Sequence, residues 1–175
     1  MIGAYSSRSK GVERVDLSTL VMALSPGLET YLPTDSTLDF DLIENAPVYA
    51  VPGDIRRIVY NLVKNAAEAL GSGPGTITIS TGVIERVAAE ADEPLAESAA
   101  MTGRYSYLSV SDTGCGMDET SRASLFDEPA TTKEDGHGLG LTSVQRIVFR
   151  YAGLLEVQSR VGCGTQFIVL LPCAL

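Results

Sequence analysis

The chain has 175 residues, 45% of them hydrophobic, which suits one domain with a substantial core and would crowd two. Its formal net charge of -9 excludes a broad electrostatic footprint for DNA or RNA, because gripping a phosphate backbone takes clustered Lys and Arg. Charged residues make up 20%, no apolar run approaches a membrane span, and no basic-then-apolar leader precedes a small-residue cleavage site, so a soluble, cytoplasmic chain is expected.

Residues 1–15 are polar and lack apolar periodicity, which predicts a tail or linker. A helix follows, capped by Asp16 or Ser18, with Leu17, Leu20, Val21 and Leu24 at helical spacing and an interruption at Pro26 and Gly27. Alternation over 38–42 and the apolar run 48–51 predict two strands. The clearest helix covers 53–70, where Ile55, Ile58, Val59, Leu62, Val63, Ala66 and Leu70 form one stripe and Gly71 ends it. Residues 76–83 are rich in β-branched side chains and predict a strand, and the acidic, alanine-rich stretch 85–103 predicts a long hairpin loop.

A strand at 105–110 runs straight into Asp112-Thr-Gly-Cys-Gly-Met117. Residues 118–135 lack sustained periodicity and suit a flexible flap, and a helix is expected from Gly138 to Gly153. Strands at 154–161 and 165–171, joined through Gly162, Cys163 and Gly164, close the chain. Strands and helices mixed with hairpin-length links favour an α+β sandwich with helices on one face of a sheet. Cys115, Cys163 and Cys173 have no spacing suited to metal ligation and are expected to be reduced structural thiols.

Four segments carry chemistry. Asn61, Asn65 and Glu68 fall at i, i+4 and i+7, so they share one helix face beside the apolar stripe. Two amides and a carboxylate there can hold a hydrated Mg²⁺ with phosphate oxygens, although the same pattern also describes the solvated face of any amphipathic helix. Asp112 at a strand end can accept a hydrogen bond from an amino group such as that of adenine, Gly114 and Gly116 permit close approach to a flat ring, and Met117 can pack on it. An ordinary Asp-Gly turn is the plainer alternative.

Gly136-His137-Gly138-Leu139-Gly140-Leu141 opens a helix with free N–H groups at its positive dipole end, an anion site suited to di- or triphosphate; a flexible linker is the alternative. His137 sits between glycines and not beside an acid on a helix, so a polar contact near phosphates is the most it suggests, and no phosphoacceptor role is expected. Thr132 and Lys133 precede it, the lysine as a mobile point charge for phosphate or as a plain surface residue. In the last segment, Thr165 can hydrogen-bond a base or its water while Phe167 faces the core.

Taken in order, NLVKNAAEA, DTGCGM, GHGLGL and GTQF resemble the asparagine box and three glycine boxes of the GHKL ATPases, and within them the catalytic domain of two-component sensor histidine kinases. The likeness covers roughly residues 16–172. It implies a two-layer Bergerat-type sandwich with a mixed, mainly antiparallel sheet and an ATP lid at 118–137. It also implies ATP and Mg²⁺ as ligands, Asn65 as the Mg²⁺ ligand and Asp112 as the adenine reader.

Residues 4–17 resemble the stretch after a kinase dimerisation domain, so 1–15 is expected to be a linker remnant and 16–175 the ATP-binding catalytic domain. The implied partners are a histidine-bearing dimerisation domain and a response-regulator receiver, with this piece itself monomeric. Two departures stand out: the lid reads Phe126-Asp-Glu-Pro-Ala130-Thr-Thr-Lys133, with alanine where the family usually has an aromatic, and Asn61 replaces the glutamate by which gyrase and MutL activate water. The rival functions are an anti-sigma-type serine kinase, which would phosphorylate a protein serine, and a degenerate docking module, which would not bind nucleotide.

Overall fold

The computed structural model describes residues 11–86, 102–125 and 139–174. A five-stranded sheet, order β2-β4-β5-β7-β6, is covered by helices α1, α2 and α4, and a two-stranded ribbon of β1 and β3 flanks it. The strands are β1 (Glu13–Asp16), β2 (Ser36–Leu42), β3 (Pro47–Ala50), β4 (Gly75–Arg86), β5 (Gly103–Asp112), β6 (Leu154–Ser159) and β7 (Thr165–Pro172). The helices are α1 (Leu17–Leu28), α2 (Pro52–Leu70), the short α3 (Glu119–Ala123) and α4 (Leu139–Arg150). Only β2 and β4 pair in parallel, so the sheet is mixed and mainly antiparallel, as expected.

Three local expectations need correction. The stretch expected to be a tail is strand from Glu13, because Val15 lies opposite Val48 and is buried while its polar neighbours face outward. One inward residue in four leaves almost no periodic signal. Helix α1 does not stop at Pro26 but runs through it to Leu28. Proline withholds an N–H from the carbonyl of Met22, and the Ser25 hydroxyl donates to that carbonyl instead at 2.9 Å. The flap beginning at 118 contains α3, capped by Asp118, whose Oδ1 accepts from the Ser121 N–H at 2.7 Å.

Strands β4 and β5 also run further toward the expected 85–103 loop, of which 87–101 lie outside the described residues.

At the start of α1, Asp16 Oδ1 accepts from the Thr19 N–H at 2.8 Å, and its other oxygen accepts from the Ala46 N–H at 2.9 Å, tying the cap to the chain entering β3. Helix α2 begins with Pro52, whose missing N–H costs nothing in the first turn, and ends at Gly71 with φ 64°. Its stripe Ile55, Ile58, Val59, Leu62, Val63 and Ala66 is buried against the sheet. Tyr151, just beyond α4, donates to Asp54 Oδ2 at 2.6 Å and accepts from the Val51 N–H at 3.0 Å, which clamps the end of α4 to the start of α2.

Register decides what the sheet presents to the helices. Ile79, Val110, Phe167 and Val157 lie side by side across β4, β5, β7 and β6. The next row on the same face, two residues along, is Ile77, Asp112, Thr165 and Ser159. A cluster of Asp112, Thr165 and Ser159 therefore ends a largely apolar face. Among the described residues no helix is long and apolar enough to cross a membrane.

Candidate functional site

Asp112 is the last residue of β5, and its side chain is buried with only 5% exposed. Its Oδ1 accepts from the Gly114 N–H at 2.8 Å and from the Thr165 N–H at 3.3 Å, so among the described residues both of its hydrogen bonds fall on one oxygen and Oδ2 is left for another donor. Burial pushes the carboxyl above the usual carboxylate range, and the two backbone donors pull back less strongly. A buried carboxylate with half its acceptor capacity unused is suited to a neutral amine such as the exocyclic amino group of a base.

The loop after Asp112 is held by α2. The Cys115 N–H donates to the Ala69 carbonyl at 3.1 Å, and a Cβ on Gly114 would lie 2.5 Å from the same oxygen, so only glycine fits there. On the other side, the Gly162 N–H donates to the Cys115 carbonyl at 2.7 Å, pinning Gly116 beside the β6–β7 turn. The Met117 N–H is bonded to Ser159 Oγ at 2.8 Å, and its half-buried side chain packs against the core. The Thr165 hydroxyl pairs with that of Ser159 at 2.8 Å, so Ser159 joins the expected residues in one network. Phe167 is buried in the core, as expected. Cys115, Cys163 and Cys173 are free thiols.

Further along α2, Asn61, Asn65 and Glu68 line a cavity of about 550 Å³. The first turn of α4 closes its far side: a Cβ on Gly140 would stand 3.2 Å from Asn61 Oδ1, and Ser143 also faces the space. Leu141 is half-buried against the core, and Leu139 contributes the first backbone position of α4. Glu68 lies 3.8 Å from Lys64, an exposed pair at i,i+4. Thr132, Lys133, His137 and Gly138, with the lid positions Phe126 and Ala130, lie outside the described residues.

Asn65 Nδ2 is buried and has no hydrogen-bond partner among the described residues. The orphaned NH₂ is a donor and suits a phosphate oxygen or a water, while the amide and carboxylate oxygens beside it are the groups that fit a hydrated Mg²⁺. No cluster of three His, Cys, Asp or Glu occurs among the described residues, so a cation here would complete its shell with phosphate and water.

The structure thus brings Asp112, Gly114, Gly116, Met117 and Thr165 together at one end of α2, and Asn61, Asn65, Glu68 and Gly140 along its exposed side. Eight residues separate Asn61 from Ala69, about 12 Å of helix, a span suited to a nucleoside and its phosphate tail. Sequence reasoning passed over Arg56, Arg57, Tyr60, Lys64 and Ser143, all of which line the cavity. The spacing of Arg57, four residues before Asn61, was the available signal; Ser143 and Ser159 carried none.

Comparison with known proteins gives the family of the chain. Residues 50–175 match the family described as histidine kinase-, DNA gyrase B-, and HSP90-like ATPase. The chain is 31% identical over 154 residues to the signal transduction histidine-protein kinase AtoS of Escherichia coli, covering 88% of this chain and 22% of that protein. It is 36% identical over 132 residues to the sensory histidine kinase/phosphatase NtrB of Azospirillum brasilense, covering 72% of this chain and 30% of that one. The chain therefore spans less than a third of these relatives. Its fold matches that of the mycobacterial sensor histidine kinase MprB with a TM-score of 0.69 at 22% identity, over 93% of this chain and 97% of that one.

Proposed function

Because this chain belongs to the histidine kinase-, DNA gyrase B-, and HSP90-like ATPase family, as an ATP-binding catalytic domain of the histidine kinase kind, we propose that it offers the γ-phosphoryl group of Mg²⁺-bound ATP to a histidine on a separate dimerisation domain. The observation that carries this reading is the buried Asp112, with one oxygen unused, at the base of a helix that displays two amides further along.

In this reading Asp112 Oδ2 accepts from the adenine amino group, Gly114 and Gly116 let the backbone reach the ring, Met117 packs on it, and Thr165 bonds the base or its water. Asn65 is the Mg²⁺ ligand, with Asn61 and Glu68 completing the polar face. A cation held there would supply positive charge to offset that of the phosphates during transfer. Thr132, Lys133, His137 and Gly138 are further candidate phosphate contacts, together with the free backbone N–H groups of Leu139 to Leu141 that open α4. The protein's task is positioning: the bond from the γ-phosphorus to the bridging oxygen breaks as one forms to the incoming imidazole nitrogen. Asn61 cannot serve as a general base, which keeps water from competing for the phosphoryl group.

The acceptor and its assisting acid lie on the dimerisation domain, a receiver domain takes the phosphoryl group next, and the chain works in the cytoplasm as a monomeric unit. Calorimetric titration with Mg²⁺ and ADP, followed by incubation with γ-labelled ATP, tests the proposal. Nucleotide should bind, the chain alone should stay unlabelled, and label should appear on a separately prepared dimerisation domain of the same kinase. Stable label on this chain by itself, or on a protein serine, would refute it.

A further inference from the structure

Among the residues that sequence reasoning missed, two arginines have no assigned task. Arg56 and Arg57 line the same cavity of about 550 Å³ as Asn61 and Asn65, in a chain whose formal net charge is -9. Neither makes a hydrogen bond or ion pair among the described residues. The reason lies in the clamp between helices. Asp54, three residues before Arg57, would be its natural helix-surface partner. Its Oδ2 is instead taken by Arg150 at 2.9 Å and by the Tyr151 hydroxyl at 2.6 Å. The fold draws off the acid that would neutralise Arg57 and leaves the guanidinium facing the cavity.

Position along α2 then indicates what Arg57 meets. The helix serves as a ruler: Ala69 holds the loop that follows Asp112, Asn65 and Asn61 come one and two turns nearer its start, and Arg57 one turn beyond Asn61. A nucleotide laid along this face with its base at the Asp112 end presents its outermost phosphate to Arg57. A planar guanidinium is the side chain best matched to two phosphate oxygens at once. Across the cavity, the first turn of α4 at Gly140 and Ser143 adds the positive end of a helix dipole.

We propose that Arg57, seconded by Arg56, binds the terminal phosphoryl group and so makes this domain discriminate nucleoside triphosphate from diphosphate. The inference rests on the nucleotide reading above and deepens it. The discrimination would favour ATP entry and ADP release once the γ-phosphoryl group has gone.

The test compares calorimetric affinities for Mg²⁺–ADP and for a non-hydrolysable triphosphate, Mg²⁺–AMPPNP, in the wild-type chain and in Arg57→Gln and Arg57→Lys. Arg57→Gln should weaken AMPPNP by about 10- to 100-fold, the worth of one charge-assisted hydrogen bond, and ADP by less than about threefold. Arg57→Lys should recover part of the loss, since it keeps the charge without the fork. Arg57 is exposed, so melting temperatures of the variants should match the wild type. Equal weakening of both nucleotides, or of neither, overturns this inference while leaving the nucleotide reading intact. A wild-type chain that binds neither nucleotide overturns both.

Discussion

The two ends of α2 are built on opposite terms. At the Ala69 end, Asp112, Gly114, Cys115, Ser159 and Thr165 are locked by backbone and hydroxyl hydrogen bonds, and Asp112 and Thr165 are buried. At the Arg57 end, exposed cations and an orphaned amide surround an open cavity. A flat, neutral base is recognised by shape and by one or two exact donor–acceptor matches, which reward rigidity. A charged, hydrated phosphate tail is recognised by field, which rewards unneutralised charge and tolerates motion. Changes to the tightly packed backbone of the first end should therefore disturb folding, whereas loss of an exposed cation at the second should disturb ligand selectivity alone.

The largest effect is expected at Gly164, where φ is +85° and a Cβ would stand 1.9 Å from the Asp112 carbonyl. Gly164→Ala should cost about 3 kcal/mol or more, seen as a melting temperature lower by about 6 °C or more. Wild-type stability in Gly164→Ala would mean that the two strands are not held this closely. Asp112→Asn should separate recognition from folding. It keeps an acceptor for Gly114 and Thr165 but turns an NH₂ toward the adenine amine, so nucleotide affinity should fall about 100-fold or more while stability stays within about 1 kcal/mol.

The same substitution carries a pH signature. Burial raises the folded-state pKa of Asp112 above its ordinary value, so the folded protein holds that proton more tightly than the unfolded chain. Its contribution to stability is thus most favourable below the ordinary carboxylate range and declines as pH rises through the ordinary value toward the folded one, then levels off. Melting curves of Asp112→Asn should lack this decline. Curves that parallel the wild type through acid pH would show that the carboxyl is not desolvated.

At the other end, Tyr151→Phe should cost about 1–3 kcal/mol by leaving the Val51 N–H without its acceptor, measured by denaturant titration. Losing the hydroxyl also loosens Asp54, which can then turn to Arg57, so triphosphate selectivity should fall with it. Smallest of all is Lys64→Ala, where the pair with Glu68 is 53% and 40% exposed and its loss should change stability by no more than about 0.5 kcal/mol.

Much of this was legible in the chain itself because the relevant signals are local. The stripe of α2 repeats every three to four residues, so its extent and its buried face could be read directly, and with them the common face of Asn61, Asn65 and Glu68. Asp112 and the glycines after it announced a turn at a strand end for the same reason. The full length of α1 is less legible, because one serine hydroxyl cancels proline's usual effect, and so is β1, because a single inward valine has no period.

The sequence by itself thus determined which residues are chemically equipped to meet a nucleotide, since residue type and spacing along one element are local properties. Only the tertiary structure decided how they combine. Strand register set Asp112 beside Thr165, the Ala69 carbonyl captured the glycine loop, and Asp54 was drawn to α4, which left Arg57 without an ion-pair partner among the described residues. Each of those depends on partners more than 30 residues apart in the chain, whose meeting is settled by burial and hydrogen-bond satisfaction across the whole fold.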